Sequence, residues 1–141
     1  MKHRAWGTAV LLSCAALAQN LGYQPDPEWR APAAAPQPNS LASKPAAAKG
    51  GRKLFLRNCS QCHGAQGTGI VEKHSADLRL PVVQQQSDGT LYWKITNGNS
   101  RRRMPSFSKL PSLERWQLIL FLRTLKPLST PGAKESKTQS N

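Results

Sequence analysis

The sequence predicts an all-α domain, a few short helices wrapped around a group that the side chains alone do not supply. Three observations lead there. Near the C-terminal end Leu118, Phe121, Leu122 and Leu125 recur at i, i+3, i+4 and i+7, one helical stripe. Residues 87–98 open on Ser87 and Asp88, which cap helices, and close on Gly98, which ends them. Finally, only 38% of the 141 residues are hydrophobic, which is low for a self-sufficient core of this size and asks for apolar surface from elsewhere.

The stretch Asn58-Cys59-Ser60-Gln61-Cys62-His63-Gly64 says what that surface is. It contains C-x-x-C-H, the attachment pattern of a c-type haem. Each thiol adds across one vinyl group, so the two sulfurs must reach two edges of one porphyrin. The histidine after the second cysteine is then held beneath the iron as an axial ligand. The expected cofactor is one covalent haem c with its iron. Cys59 and Cys62 attach it and His63 ligates the metal. Two other chemistries use paired cysteines. Zinc wants four ligands, and outside the motif the chain holds only His3, His74 and Cys14 as histidine or cysteine. A redox dithiol is expected near a βαβ pattern, and none is visible here.

The formal net charge is +13, and removing a leader containing Lys2 and Arg4 leaves the chain strongly basic. Such a protein prefers acidic patches on partner proteins, or anionic membrane surface. No nucleic-acid motif accompanies the charge, so no nucleic-acid partner is expected.

Residues 1–18 read as a signal peptide. Lys2 and Arg4 supply its positive start, Ala5 to Leu12 a short apolar run, and Ala16-Leu17-Ala18 a cleavage site. The apolar run is too short to span a bilayer. Leu11-Leu12-Ser13-Cys14 also resembles a lipoprotein box, with the signal then ending at residue 13. A lipidated Cys14 would anchor the protein to a membrane. Residues 19–45 follow as a Pro/Ala-rich linker carrying Pro25, Pro27, Pro32, Pro36, Pro38 and Pro45, a composition that favours extended chain. Tyr23 and Trp29 are its aromatic exceptions, and either could dock on the domain or on a partner.

The folded domain is expected over residues 46–126. Its first helix should begin near Ser43 as N-cap, with Pro45 in the first turn. Gly50 and Gly51 each cost that helix about 1 kcal/mol against Ala, which suggests a close packing partner. Phe55 lies one turn beyond Gly51 and one turn before Cys59.

With these residues in place, residues 46–126 resemble a class I (monohaem) cytochrome c of the bacterial periplasmic type. That family places a small residue eight positions, and an aromatic four positions, before the first haem cysteine, where Gly51 and Phe55 stand. The resemblance implies a small cytochrome c fold in which the N- and C-terminal helices cross. It implies an exported, periplasmic protein. Gly64-Ala65-Gln66-Gly67-Thr68-Gly69 is similar to the family's glycine-rich loop after the proximal histidine. In the family that histidine donates its other ring N–H to a loop carbonyl, often beside a proline. Here the loop reads Ser75-Ala76-Asp77, with Ala where relatives commonly carry Pro.

Alternation of Leu91, Trp93 and Ile95 would also allow a strand over residues 87–98, but the caps and the resemblance to the family's middle helix favour a helix, with Trp93 or Tyr92 packing near the haem edge or in the core. Arg101-Arg102-Arg103-Met104-Pro105-Ser106-Phe107 follows. Met104 is the only methionine besides Met1, and Met/His ligation raises a haem potential for electron transfer. Met-Pro-x-Phe also resembles the family's axial-methionine loop, so Met104 is the expected second axial ligand, with His74 the competitor. The arginine run is a solvated face, a docking site for an acidic partner, or a neutraliser of haem propionates.

In the last helix Ser112 is the N-cap candidate and Glu114 suits the first turn. Trp116 and Leu113 widen the apolar stripe, and Arg123, Lys126 and Pro127 suit its end. Leu118 and Phe121 should meet Gly51 and Phe55. Residues 127–141 read as a disordered polar tail.

Together these features predict a one-electron carrier, not an enzyme. Its partners would be redox proteins with acidic docking patches, and it would act as a monomer or as a subunit of a redox complex. Alternatives are a dedicated cytochrome c subunit of a periplasmic dehydrogenase, a haem sensor or peroxidase-like protein with an open sixth position, and a thiol–disulfide oxidoreductase.

Overall fold

The computed structural model describes residues 23–33, 35 and 38–125. The leader over residues 1–18, with Cys14, and the tail over residues 127–141 lie outside the described residues. So do Lys126 and Pro127, expected near the end of the last helix.

Among the described residues there are five α-helices and no strands, the all-α arrangement that the sequence predicts. α1 spans Ala48–Asn58 and follows a 3₁₀ turn over Pro45–Ala47. α2 is one turn, Ser60–His63. α3 is Pro81–Gln84, α4 is Asp88–Asn97 and α5 is Ser112–Thr124.

The helix starts divide by whether a side chain caps them. Ser87 caps α4 as expected, its hydroxyl accepting from the Thr90 backbone N–H at 3.1 Å. Ser43 does not cap the first helix. The chain enters through Lys44 into the 3₁₀ turn, where Pro45 takes a first-turn position with no N–H to satisfy. Ser112 is likewise the first residue inside α5, with Pro111 at the cap. Its hydroxyl accepts from Tyr92 Oη at 2.9 Å instead.

α1 and α5 cross at the glycine pair. A Cβ on Gly51 would collide with the Gln117 carbonyl and crowd Phe121. One turn on, the Phe55 and Phe121 rings meet at 5.1 Å, tilted by 51°. Leu54, Phe55, Leu118, Phe121 and Leu122 form one apolar cluster. Trp116 and Ile119 belong to another, with Leu41, Ala76, Val83 and Leu91. α5 is thus buried on two faces, where the sequence pattern predicts one stripe. Leu113, read as part of that stripe, is exposed. Each fully buried apolar side chain contributes roughly 1.5–3 kcal/mol, so Phe55, Leu118 and Ile119 anchor the fold.

Polar side chains lock the corners. Arg123 reaches from α5 to Asp88 Oδ1 at 2.7 Å and to the carbonyls of Gln84 and Gln86. It ties α5 to the start of α4, a larger role than favouring a helix C-terminus. Asn39, buried, donates to the Trp116 carbonyl at 3.3 Å and accepts from the Leu41 N–H at 2.9 Å. Part of the proline-rich stretch therefore lies against the domain rather than running free.

Candidate functional site

Cys59, Cys62 and His63 sit on a single helical turn that continues from α1. The Cys59 N–H donates to the Phe55 carbonyl at 2.8 Å, and the His63 N–H donates to the Cys59 carbonyl at 2.9 Å. Residues three apart on such a turn share a side, so both sulfurs face one way. Neither cysteine is in a disulfide.

A loop then folds back to hold this turn. Gly64, Gly67 and Gly69 all have positive φ. The Gly69 N–H donates to the His63 carbonyl at 2.9 Å, and the Ser75 hydroxyl donates to the Cys62 carbonyl. His63 Nδ1 lies 3.0 Å from the Ala76 carbonyl. A carbonyl only accepts, so Nδ1 carries the proton and Nε2 keeps its lone pair. Ala76 therefore supplies the orienting carbonyl, because that bond needs only the backbone oxygen. Such a bond fixes ring orientation and raises ligand basicity. Burial pushes the His63 ring below its ordinary pKa, although the Ala76 bond opposes this, and the ring is neutral at pH 7.

Beneath this loop Asp77 is fully buried. Its carboxylate accepts from the Arg79 backbone N–H at 2.9 Å, from Nε at 3.0 Å and from Nη2 at 2.8 Å. The fork sets the backbone beside Ala76. Asp77 carries no sequence motif, and only its burial reveals it.

Met104 comes from an irregular segment after α4. The helix ends at Gly98, with φ of 67°, where a Cβ would crowd the backbone carbonyls of Met104 and Pro105. Only glycine allows both the conformation and the approach. Asn99 and Met104 then pair as an isolated antiparallel bridge, N–H to carbonyl in both directions, at 2.8 and 2.9 Å. Between them Ser100–Arg102 makes a 3₁₀ turn capped by the Asn99 side chain, and Arg103 takes a left-handed φ of 56°. The Phe107 N–H donates to the Ile95 carbonyl at 3.1 Å, closing the loop onto α4.

Both segments open on one cleft of about 980 Å³. Cys59, Cys62, His63 and Met104 all line it, with Phe55, Leu91, Ile95, Phe107 and Leu118 among the apolar walls. That volume lies at the upper end of the roughly 300–1,000 Å³ typical of ligand sites. Two thiols, an oriented neutral imidazole and a thioether around an apolar slot are the donor set that a covalent haem takes. The residues present fit the group.

His74 also lines the cleft, on a left-handed turn after Glu72 and Lys73. Tyr92 and Trp93 do not line it. Tyr92 stacks on Trp116 at 4.1 Å, and both tyrosine and tryptophan border a separate cavity of about 170 Å³. The helix register that puts Leu91 and Ile95 on the cleft turns Tyr92 and Trp93 away.

The 23–30 segment falls within the expected linker, and its aromatics Tyr23 and Trp29, which could dock on the domain or on a partner, line the cleft beside Met104 together with Asp26. Trp29 Nε1 donates to the Gly98 carbonyl at 2.8 Å. Asn99 Nδ2 donates to Asp26 Oδ2 at 3.0 Å. Lys94 lies over the Trp29 ring at 4.5 Å, and burial lowers its pKa against the raising effect of Asp26. Arg101 pairs with Glu28, and Arg102 donates to the Gln24 carbonyl at 3.0 Å and sits over the Tyr23 ring. Two of the three arginines in the run are therefore engaged within the chain. The lone aromatics were the available signal.

Burial pushes the Cys59 thiol up to about 12, with the neighbouring Cys62 adding to the rise. A redox dithiol needs the opposite, a lowered pKa. Among the described residues no group of three or more His, Cys, Asp or Glu comes together to hold a metal ion. Nor, among them, is any helix long and apolar enough to cross a membrane.

The family model described as cytochrome c oxidase, cbb3-type, subunit III matches residues 46–122. No curated protein and no solved structure matches the chain.

Proposed function

This chain belongs to the cytochrome c family described as cytochrome c oxidase, cbb3-type, subunit III, and we propose that it is a class I, monohaem one-electron carrier. Membership brings covalent haem c with its iron, and haem-based electron transfer. When bound, the haem supplies an iron that takes up and releases one electron. In this reading Cys59 and Cys62 would hold the porphyrin, and His63 and Met104 would ligate its iron. The observation that carries the reading is that one cleft is lined both by His63, oriented through Ala76, and by Met104 on a braced loop.

With His63 and Met104 both on the iron, no position would remain for a substrate, so on this reading the protein would pass electrons without a reaction of its own. The signal over residues 1–18 would deliver it to the periplasm, either released or anchored through a lipidated Cys14. The basic surface selects partners with acidic patches.

A second reading follows from the family description, which names a subunit of an oxidase. On that reading the chain works as the electron-carrying part of a redox complex, an oxidase or a periplasmic dehydrogenase. Stable co-purification with a larger enzyme supports it, and a monomer that exchanges electrons freely with several partners counts against it.

The test is an optical spectrum and intact mass of the full chain, exported in a cell competent for c-haem maturation. The carrier reading expects the mass of one covalent haem, sharp reduced bands and a weak far-red methionine-to-iron band when oxidised. Attached but high-spin haem points instead to a sensor or peroxidase. Two titratable thiols and no haem would make the protein a thiol–disulfide oxidoreductase. The same mass shows whether Cys14 survives with lipid.

A further inference from the structure

Four groups in the 23–30 segment reach the backbone or side chains of the Met104 loop from about seventy residues away. Trp29 donates to the carbonyl of Gly98. Asp26 accepts from the side chain of Asn99. Glu28 pairs with Arg101, and the Gln24 carbonyl accepts from Arg102. Gly98 and Asn99 are the residues that hold Met104. Gly98 packs against the Met104 carbonyl, and Asn99 exchanges both backbone hydrogen bonds with Met104.

We propose that Trp29 and Asp26 are positioning residues for Met104, and that the 23–30 segment is a strap that keeps the methionine on its ligating side of the cleft. The proposal rests on the reading of Met104 as an axial ligand.

The geometry favours the two inner contacts over the outer ones. The Arg101–Glu28 pair has both side chains about two-thirds exposed, at 68% and 69%. Pairs of that kind contribute little. Trp29 and Asn99 are partly or fully buried, and each bond satisfies a group that water reaches poorly. The Asp26 carboxylate also accepts from the Glu28 N–H at 3.0 Å, which presets the strap's own turn. The ring of Trp29 meanwhile carries Lys94, from α4, over its face. A bond to Gly98 and a bond to Asn99 thus tie the strap to both residues that brace the ligand. Without them the loop keeps its internal bridge but loses its outer support. Met104 then yields more readily to a competing ligand.

The experiment uses the oxidised full-chain holoprotein and titrates it with imidazole, following loss of the methionine-to-iron band. Trp29→Ala combined with Asp26→Ala should lower the imidazole midpoint about tenfold, the effect of removing two hydrogen bonds of ordinary strength. Trp29→Phe keeps the ring beneath Lys94 and deletes only the donor, and it should lower the midpoint about threefold. Asp26→Asn keeps an acceptor for Asn99 and should stay near wild type. If the double variant does not accumulate, Trp29→Phe alone decides. A midpoint unchanged in a variant with full haem, even one with a lowered Tm, makes the strap merely structural and overturns the proposal. Absence of the band in the wild type is a different failure, since it removes Met104 as ligand altogether.

Discussion

The segment carrying His63 and the segment carrying Met104 face the same cleft but are built in different ways. The first closes on itself. His63 is oriented by a carbonyl thirteen residues ahead, its own carbonyl is held by Gly69, and Cys62 is held by Ser75. The second has a short internal bridge and then leans on a strap seventy-three residues earlier in the chain. Locally closed structure forms with little loop-closure cost, whereas the distant brace can be undone without unfolding the domain. The His63 side should therefore be the stiff one and the Met104 side the adjustable one.

The sharpest way to break this contrast is through Asp77. Asp77→Ala leaves Arg79 without the buried carboxylate and frees the backbone that presents Ala76 to His63. It should cost about 3 kcal/mol, the low end for breaking a buried pair because Arg79 retains some access to water. A shift in the denaturant midpoint measures it. A loss below 1 kcal/mol would mean that the His63 side is not held from beneath.

The helix crossing that supports both segments gives the next effect. Gly51→Ala puts a methyl against the Gln117 carbonyl, which cannot rotate away, and should cost about 1–3 kcal/mol. Gly50→Ala meets only the end of the Gln117 side chain, at 3.0 Å. That end can swing aside, so the variant should be neutral or gain up to about 1 kcal/mol of helix propensity. Thermal unfolding of the pair tests this, and equal losses would place the close approach elsewhere.

The smallest effect is on the adjustable side. Hydrogen bonds from Asn99 and from the Glu28 N–H hold the Asp26 carboxyl below its ordinary pKa of 3.8. A depressed folded-state value stabilises the docked strap above about pH 4, and that contribution is lost as the pH falls through the lowered value. The indole N–H resonance of Trp29 should move toward that of free tryptophan on acidification, before the domain unfolds. Asp26→Asn should flatten the response. A resonance that moves only with global unfolding would contradict it.

The contrast also explains what the sequence could show. The C-x-x-C-H turn, the glycine spacing before it and the α5 periodicity are local patterns, and a spacing rule can read them. The Ser87 cap and the Gly98 stop of α4 were legible for the same reason. Ser43 and Ser112 do not cap because Lys44 leads into Pro45 at the first entry and Pro111 stands at the second, where the Ser112 hydroxyl accepts from Tyr92 instead. The strap was only half legible: Tyr23 and Trp29 marked a segment able to dock, but proline-rich composition signals extended chain, not what an extended chain rests on. Trp29 has a place only once Gly98 offers a carbonyl, and that is decided by tertiary contact.

The most direct test of the central claim compares the wild type with Met104→Ala, both as holoproteins, for the far-red band and for carbon monoxide binding after reduction. The account predicts that the wild type shows the band and excludes carbon monoxide at neutral pH. The variant should keep its covalent haem mass on Cys59 and Cys62, lose the band and bind carbon monoxide. A variant whose spectrum matches the wild type, or a wild type that already binds carbon monoxide, would contradict axial ligation by Met104.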